Sequence, residues 1–284
     1  MTTKTKKQHY VWEFYLKGWG VNNQVWCRRN EKVFLSSTEN VAQERYFYET
    51  KPLTDAEIEL LRNMFRKGPM INQITNLSSL DVYIGIANST GDLPRYGLEQ
   101  YHSMIESKAI SVMTALRSGD DTVLKDKQSK IDLCIYLGHQ YTRTKKSKNS
   151  FVPLNQETDI PEKYAGCDLM KVHHATSFVF AAAIGNAMCN HLDLKLVKNE
   201  SSTNFLTCDQ PIYNLCAVPG KEAKESSFYF PLSPSLALWA KKNPNIEVID
   251  SSNVKTLNSF MVNNSYELVF AYSEEELSNI SSSV

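Results

Sequence analysis

Apolar and polar positions change rhythm several times along this chain of 284 residues. The opening stretch QHYVWEFYLKGWG (8–20) sets five aromatic residues around one histidine and one acid. Next, QVWCRRN (24–30) and KVFLSS (32–37) flank the turn-like Asn30-Glu31, a pattern that predicts a small β-hairpin. VAQERYFYE (41–49) leads into LTDAEIELLRNMFRK (53–67), where Thr54 is the expected N-cap and Glu57 completes a capping box. Apolar residues then recur three and four apart over about 98–117, 125–146 and 163–192. That spacing predicts three long helices. In the first, Tyr101, Met104, Ile105, Ala109, Val112, Met113 and Leu116 form the expected buried stripe. The polar, proline-containing stretch 147–162 reads as a loop.

After residue 192 the runs shorten. LDLKLVKN, NFLTCD, SFYFPLSP and LALWA lean towards strand and are broken up by Pro, Gly, Ser and Asn. A last helix is expected over about 253–263, followed by a frayed serine-rich tail, SNISSSV. The order hairpin, helices, strands, helix predicts an α+β fold. It is read as a mainly helical bundle packed against a small antiparallel sheet, with an N-terminal β-hairpin. One domain over residues 1–284 is expected, helical over about 54–192 and β-rich over about 193–250.

Composition narrows the partners. A hydrophobic fraction of 42% in a chain of this length supports a substantial core. With 31 basic and 31 acidic side chains, the formal net charge is zero. That argues against a protein coating nucleic acid along its whole surface, and leaves a local basic groove open. The six cysteines show neither C-x-x-C pairing nor zinc-ligand spacing, so buried thiols in a reducing compartment are expected. MTTKTKK precedes no apolar h-region, and FVFAAAIGNAMC (178–189) is too short to span a bilayer. The expectation is a cytoplasmic protein with no membrane partner.

No P-loop, Rossmann glycine fingerprint, H-E-x-x-H or G-x-S-x-G motif is present. His173 and His174 are adjacent on a predicted helix and point about 100° apart, a poor arrangement for shared ligation. His9 is anchored by Tyr10, Phe14 and Tyr15; the competing reading is a core histidine bonded to a backbone carbonyl. Glu44 sits among the apolar Val41, Phe47 and Tyr48, or is a surface acid paired with Arg45 or Lys51. Asp209, in LTCDQPI (206–212), stands on a chain stiffened by Pro211 and its restriction of Gln210. Such a segment presents a carboxylate rigidly, or builds an Asx-turn. Glu106 lies one position off its apolar stripe, with His102 one turn before it. Gln140 and Arg143 share a face near a helix end. Arg143 either offsets the helix dipole together with KKSK or grips a phosphate or carboxylate.

Taken in order, these landmarks resemble the bacterial family catalogued as domain of unknown function 4238. The matching pieces are QHYVWEFYL (8–16), AQERYFY (42–48), IE (105–106), HQYTRT (139–144), TCDQP (207–211) and FPLSP (230–234). Trp12 stands where the family usually has proline, and Cys208 replaces the serine before the aspartate. The resemblance implies a site without naming its reaction. The matched polar positions are His9, Glu44, Glu106, Gln140, Arg143 and Asp209, and six such groups from separate segments suggest one pocket. Carboxylates with an imidazole suit a hard divalent ion, Mg²⁺ or Mn²⁺, held by Asp209, Glu44 and His9. Arg143 would then stabilise developing charge, with Gln140 and Glu106 holding substrate. The basic stretches TKTKK and RTKKSK would guide nucleic acid.

The leading expectation is therefore a metal-dependent nuclease or phosphodiesterase, a toxin or phage-defence effector. The alternative is a non-enzymatic module that binds a ligand, a protein partner or a second copy of the chain. Group transfer from a nucleotide such as NAD ranks third, because no cofactor motif supports it.

Overall fold

A computed structural model describes residues 5–67, 69–150, 162–217, 223–245 and 248–280. Within them the chain begins with β1 (Lys7–His9), α1 (Glu13–Leu16), β2 (Gln24–Arg29), β3 (Lys32–Ser37) and β4 (Gln43–Arg45). A helical stretch follows: α2 (Asp55–Phe65), α3 (Met70–Ala87), α4 (Leu93–Arg117), α5 (Lys127–Thr142), α6 (Lys145–Asn149) and α7 (Leu169–His191). Then come β5 (Asp193–Asn199), β6 (Thr207–Cys208), β7 (Tyr213–Asn214), β8 (Ser227–Ser233), β9 (Leu236–Lys241) and β10 (Val248–Ile249). The chain closes with α8 (Ser251–Asn264), β11 (Val269–Ala271) and α9 (Glu274–Ser278).

The expected hairpin is β2–β3, with Trp26 opposite Leu35. Where one small antiparallel sheet was expected, the strands form three. A five-stranded sheet runs β10-β5-β9-β8-β7, a four-stranded sheet runs β3-β2-β11-β6, and β1 pairs with β4 in a ribbon. The five-stranded sheet contains one parallel pair, β10 with β5. The hairpin thus joins a sheet whose other strands come from the C-terminal third, which local patterning does not reveal. Residues 151–161 of the expected loop and 281–284 of the expected tail lie outside the described residues.

Thr54 and Glu57 form the capping box of α2. Glu57, 2% exposed, does more than cap. Its carboxylate also accepts from Lys171 Nζ at 2.8 Å and from the Asp168 N–H at 2.9 Å, fastening the start of α2 to the start of α7. Helix α3 has no counterpart in the expected elements. Its apolar residues are split between faces: Leu80, Tyr83 and Ala87 are buried, while Met70, Ile71, Ile74 and Val82 are exposed. No clean stripe marks it as a helix. Met104, expected in the buried stripe of α4, is also exposed.

Helices α5 and α7 touch backbone to backbone. A Cβ on Gly138 would lie 2.2 Å from the Ala181 carbonyl oxygen, and one on Gly185 would lie 2.7 Å from the Cys134 carbonyl oxygen. Glycine at both positions allows that crossing.

The aromatic opening stretch is the joint between bundle and sheets. Tyr15 Oη donates to the Pro231 carbonyl at 2.8 Å and meets Thr207 Oγ1 at 2.6 Å. Trp19 Nε1 donates to the Phe205 carbonyl at 3.2 Å. From α4, the Arg117 guanidinium donates to the carbonyls of Phe14, Tyr15 and Leu232. Both rings are fully buried, so their polar atoms need these partners. No helix among the described residues is long and apolar enough to cross a membrane.

Candidate functional site

The segment 8–12 meets Gln140 directly, and through it Arg143 and Glu106, so the residues singled out in the sequence are not merged into one ligand set. Gln140, fully buried near the end of α5, donates from Nε2 to the Tyr10 carbonyl at 3.0 Å. Its Oε1 accepts from the Trp12 N–H at 3.3 Å and from Arg143 Nη2 at 2.9 Å. Arg143 Nη2 also lies 2.5 Å from Glu106 Oε1 on α4. Glu106, Arg143 and Gln140 therefore form one hydrogen-bonded chain linking α4, α5 and the N-terminal segment. Burial works against the Arg143 charge, yet the Glu106 carboxylate holds it protonated. Burial pushes the Glu106 carboxyl up, and the guanidinium opposes that shift.

The other three candidates are engaged elsewhere. Both Asp209 oxygens face the turn before β11: Oδ1 accepts from the Tyr266 N–H at 2.7 Å, and Oδ2 from Glu267 at 2.7 Å and Leu268 at 3.0 Å. Burial raises its pKa against the pull of those three donors. This is a structural carboxylate, satisfied by backbone, and Asn264 Nδ2 secures the neighbouring Gln210 carbonyl. Glu44 is paired at 2.7 Å with Lys145, which also binds Glu267 at 2.6 Å. His9 Nε2 sits 3.4 Å from the Thr38 carbonyl, and burial lowers its pKa. Fully placed, His9, Glu44 and Asp209 do not present converging lone pairs to an ion. Among the described residues no three His, Cys, Asp or Glu side chains are grouped to hold a metal. The residues expected to hold Mg²⁺ or Mn²⁺ thus do not fit such an ion.

The basic run after Arg143 is likewise occupied. Lys146 Nζ donates to Asn264 Oδ1 and to the Asn264 carbonyl, each at 2.8 Å. Lys148 Nζ donates to the Phe47 carbonyl and lies 4.3 Å from the Phe47 ring centre. Thr144 meets Gln210, and its hydroxyl caps α6. These contacts dock α6 onto the end of α8, the Gln210 segment and Phe47.

What remains is a cavity of about 70 Å³ beside Arg143. Phe47 and Tyr48 form one wall, Leu98 and His102 of α4 a second, and His139, Thr142 and Arg143 of α5 a third. His174, Ser177 and Phe178 of α7 close it, with Lys148 at its edge. Tyr48 is fixed by the ribbon: its N–H donates to Gln8 Oε1 at 2.7 Å and its hydroxyl to the His9 carbonyl at 2.8 Å. The rings of Tyr48 and His102 are 4.7 Å apart, and those of His102 and His139 are 5.3 Å apart.

Several polar atoms of these residues are covered and lack partners. Arg143 Nε, His102 Nδ1, both ring nitrogens of His139 and His174 Nε2 are buried with no hydrogen bond within the protein. Such orphans are rare in folded proteins and ask for an explanation. Burial keeps the imidazoles neutral, lowering His139 to about 3, His174 to about 4, and His102 well below its ordinary value. Arg143 adds to the lowering of His102 and His139. Nearby, Glu99 on α4 is pushed up to about 7 by burial and by the Glu106 charge.

Glu99, His102 and Glu106 stand at i, i+3 and i+7 on α4, one face of the helix. That spacing was readable in the sequence. The matching part of α5, His139 and Arg143, was visible at i and i+4, but the pairing of the two faces was not.

No curated protein and no solved structure matches the chain. A family match extends over residues 7–275, nearly the whole length. The chain therefore belongs to the family described as Protein of unknown function (DUF4238).

Proposed function

We propose that this protein is a ligand-binding module whose ligand sits in the cavity between α4, α5, α7 and the Phe47–Thr50 segment. One observation carries this reading: residues of α4, α5 and α7 that hold unpartnered polar atoms surround a single cavity. A purely structural core of this kind would be an expensive place to leave an arginine nitrogen and three imidazoles unsatisfied. Those atoms are covered in this conformation, so a ligand reaches them only once the cavity opens further. The expected result in a small-molecule screen followed by nuclear magnetic resonance is a shift of the His139 and His102 ring signals on binding. Ligands that bind while leaving both rings unmoved would place the site elsewhere.

A second reading, phosphodiester cleavage, draws on Glu99. A carboxyl with a pKa of about 7 close to a guanidinium is suited to accept a proton at neutral pH. It is tested by hydrolysis of bis(p-nitrophenyl) phosphate and of RNA, with and without Mn²⁺, by the wild type and Glu99→Gln. Cleavage lost in the variant supports the hydrolase; no cleavage under either condition leaves the binding module. A role as toxin or phage-defence effector rests on that hydrolase activity and falls with it.

A further inference from the structure

Helix α3 turns an apolar face to solvent. Leu80, Tyr83 and Ala87 are buried and mark the side that packs on the core. At about 100° per residue, the opposite side carries Ile71, Ile74, Ser78, Val82 and Gly85. Ile71 is 65% exposed and Ile74 56% exposed. A surface helix ordinarily gives that side to charged and polar residues, and a helix that is apolar all round is ordinarily covered. Phe180 of α7, also exposed, lies beside Asn72 and Thr75 of α3 and widens the apolar area. Exposed apolar patches of this kind mark contact surfaces.

Charge selects the occupant. Asp81 is the one charged residue of α3, and Arg62 of α2 neutralises it at 2.6 Å. An acidic or basic partner would find no opposite charge here to pair with. A two-fold contact has the reverse requirement, because each group in it faces the same patch on another copy and like charges repel. A face with its single charge already paired meets that requirement.

Shape agrees with charge. The bulky isoleucines stand in the first half of the face and the glycine in the second. A Cβ built on Gly85 meets nothing within 4 Å among the described residues, so the space over it is open. The positions 71, 74, 78, 82 and 85 are spaced three, four, four and three apart, the same in either direction. A second copy running antiparallel about a two-fold axis at Ser78 therefore sets Ile71 opposite Gly85 and Ile74 opposite Val82. The missing side chain at Gly85 leaves room for Ile71 and allows close approach of the backbones.

We infer that α3 is the contact of a homodimer, two copies of this chain pairing antiparallel through Ile71, Ile74, Ser78, Val82 and Gly85. The contact is independent of whatever the cavity binds. An 18-residue helix is about 27 Å long, so one helix pair with its flanks gives an interface at the small end of the stable range. The dimer is accordingly reversible and depends on protein concentration.

The test is sedimentation equilibrium of the full chain over a concentration series, for wild type, Ile71→Glu, Gly85→Lys and the double variant. Both positions are exposed, so the monomer tolerates the changes, and lysine is a better helix former than glycine. Melting curves of dilute samples check the fold. The expected wild-type mass rises towards twice that of the monomer as concentration increases. Each single variant should weaken dimerisation by about tenfold or more, because it sets an unpaired charge against an apolar face. The double variant should recover most of that loss, since its two introduced charges oppose each other across the contact only in the antiparallel order. A wild type that stays monomeric at every concentration overturns the inference and leaves the face to another partner. A dimer that both single variants retain uses a different surface and overturns it too. Loss in the single variants without recovery in the double variant overturns the antiparallel pairing.

Discussion

Single carboxylates in this protein have opposite jobs according to what surrounds them. Asp209 accepts three backbone N–H groups in the turn before β11, so Asp209→Ala leaves buried donors unsatisfied. It should cost about 3 kcal/mol or more, measured by urea unfolding, whatever the protein binds. A variant as stable as wild type would show that the turn is held by other contacts. Glu99 has a raised pKa, so the folded chain holds its proton where the unfolded chain has released it. Between pH 4.5 and about 7 the folded state therefore binds more protons, and stability falls as pH rises. The loss reaches roughly 3 kcal/mol once Glu99 ionises. Glu99→Gln should flatten the pH dependence of the melting temperature and exceed wild type above pH 7. Parallel curves for the two proteins would mean that Glu99 is solvated.

Among the elements, the α5–α7 crossing has the least tolerance. The Cβ of Gly138→Ala would meet the Ala181 carbonyl at 2.2 Å, backbone against backbone, so the helices must separate. The expected cost is on the order of 2–3 kcal/mol in denaturant unfolding. Because α5 carries His139 and Arg143 while α7 carries His174 and Phe178, the same variant should widen the cavity. A neutral effect would mean that the helices can slide apart cheaply. The capping box of α2 was legible because its signal lies within four residues, Thr54 to Glu57. Helix α3 was not legible, since its exposed Ile71, Ile74 and Val82 blur the amphipathic stripe. The Lys145–Lys148 run reads as a basic patch in sequence, yet its ammonium groups are taken up by Glu44, Glu267, Asn264 and the Phe47 carbonyl.

At the scale of the whole molecule, residues 8–20 stitch bundle and sheets together. Tyr15 and Trp19 bond to the β-rich part, Arg117 grips the segment from α4, and Gln140 grips it from α5. Removing residues 1–20 should abolish cooperative thermal unfolding, followed by far-UV circular dichroism, because the joint loses Trp19 and Tyr15, the two largest fully buried rings. A truncated chain that still melts sharply would show that bundle and sheets fold independently, against the single-domain expectation.

Sequence alone determined what local chemistry can specify. The hairpin of residues 24–37, the capped start of α2, the helical repeat in α4, α5 and α7, and strands β5, β6, β8 and β9 follow from period and turn residues; β7, β10 and β11 do not. The ordered motifs were enough to suggest the family. Tertiary structure decided which polar residues meet. Asp209 and Glu44 carry the same functional group in sequence, but one is closed off by backbone N–H groups from residues 266–268 and the other by Lys145. Arg143 meets Glu106 across 37 residues of chain, and His102 meets His139 across a helix–helix contact. A side chain's protonation, partners and access depend on neighbours far away in sequence, and burial is a property of the packed molecule. Periodicity tells which face of a helix is apolar; it does not tell which other face closes over it.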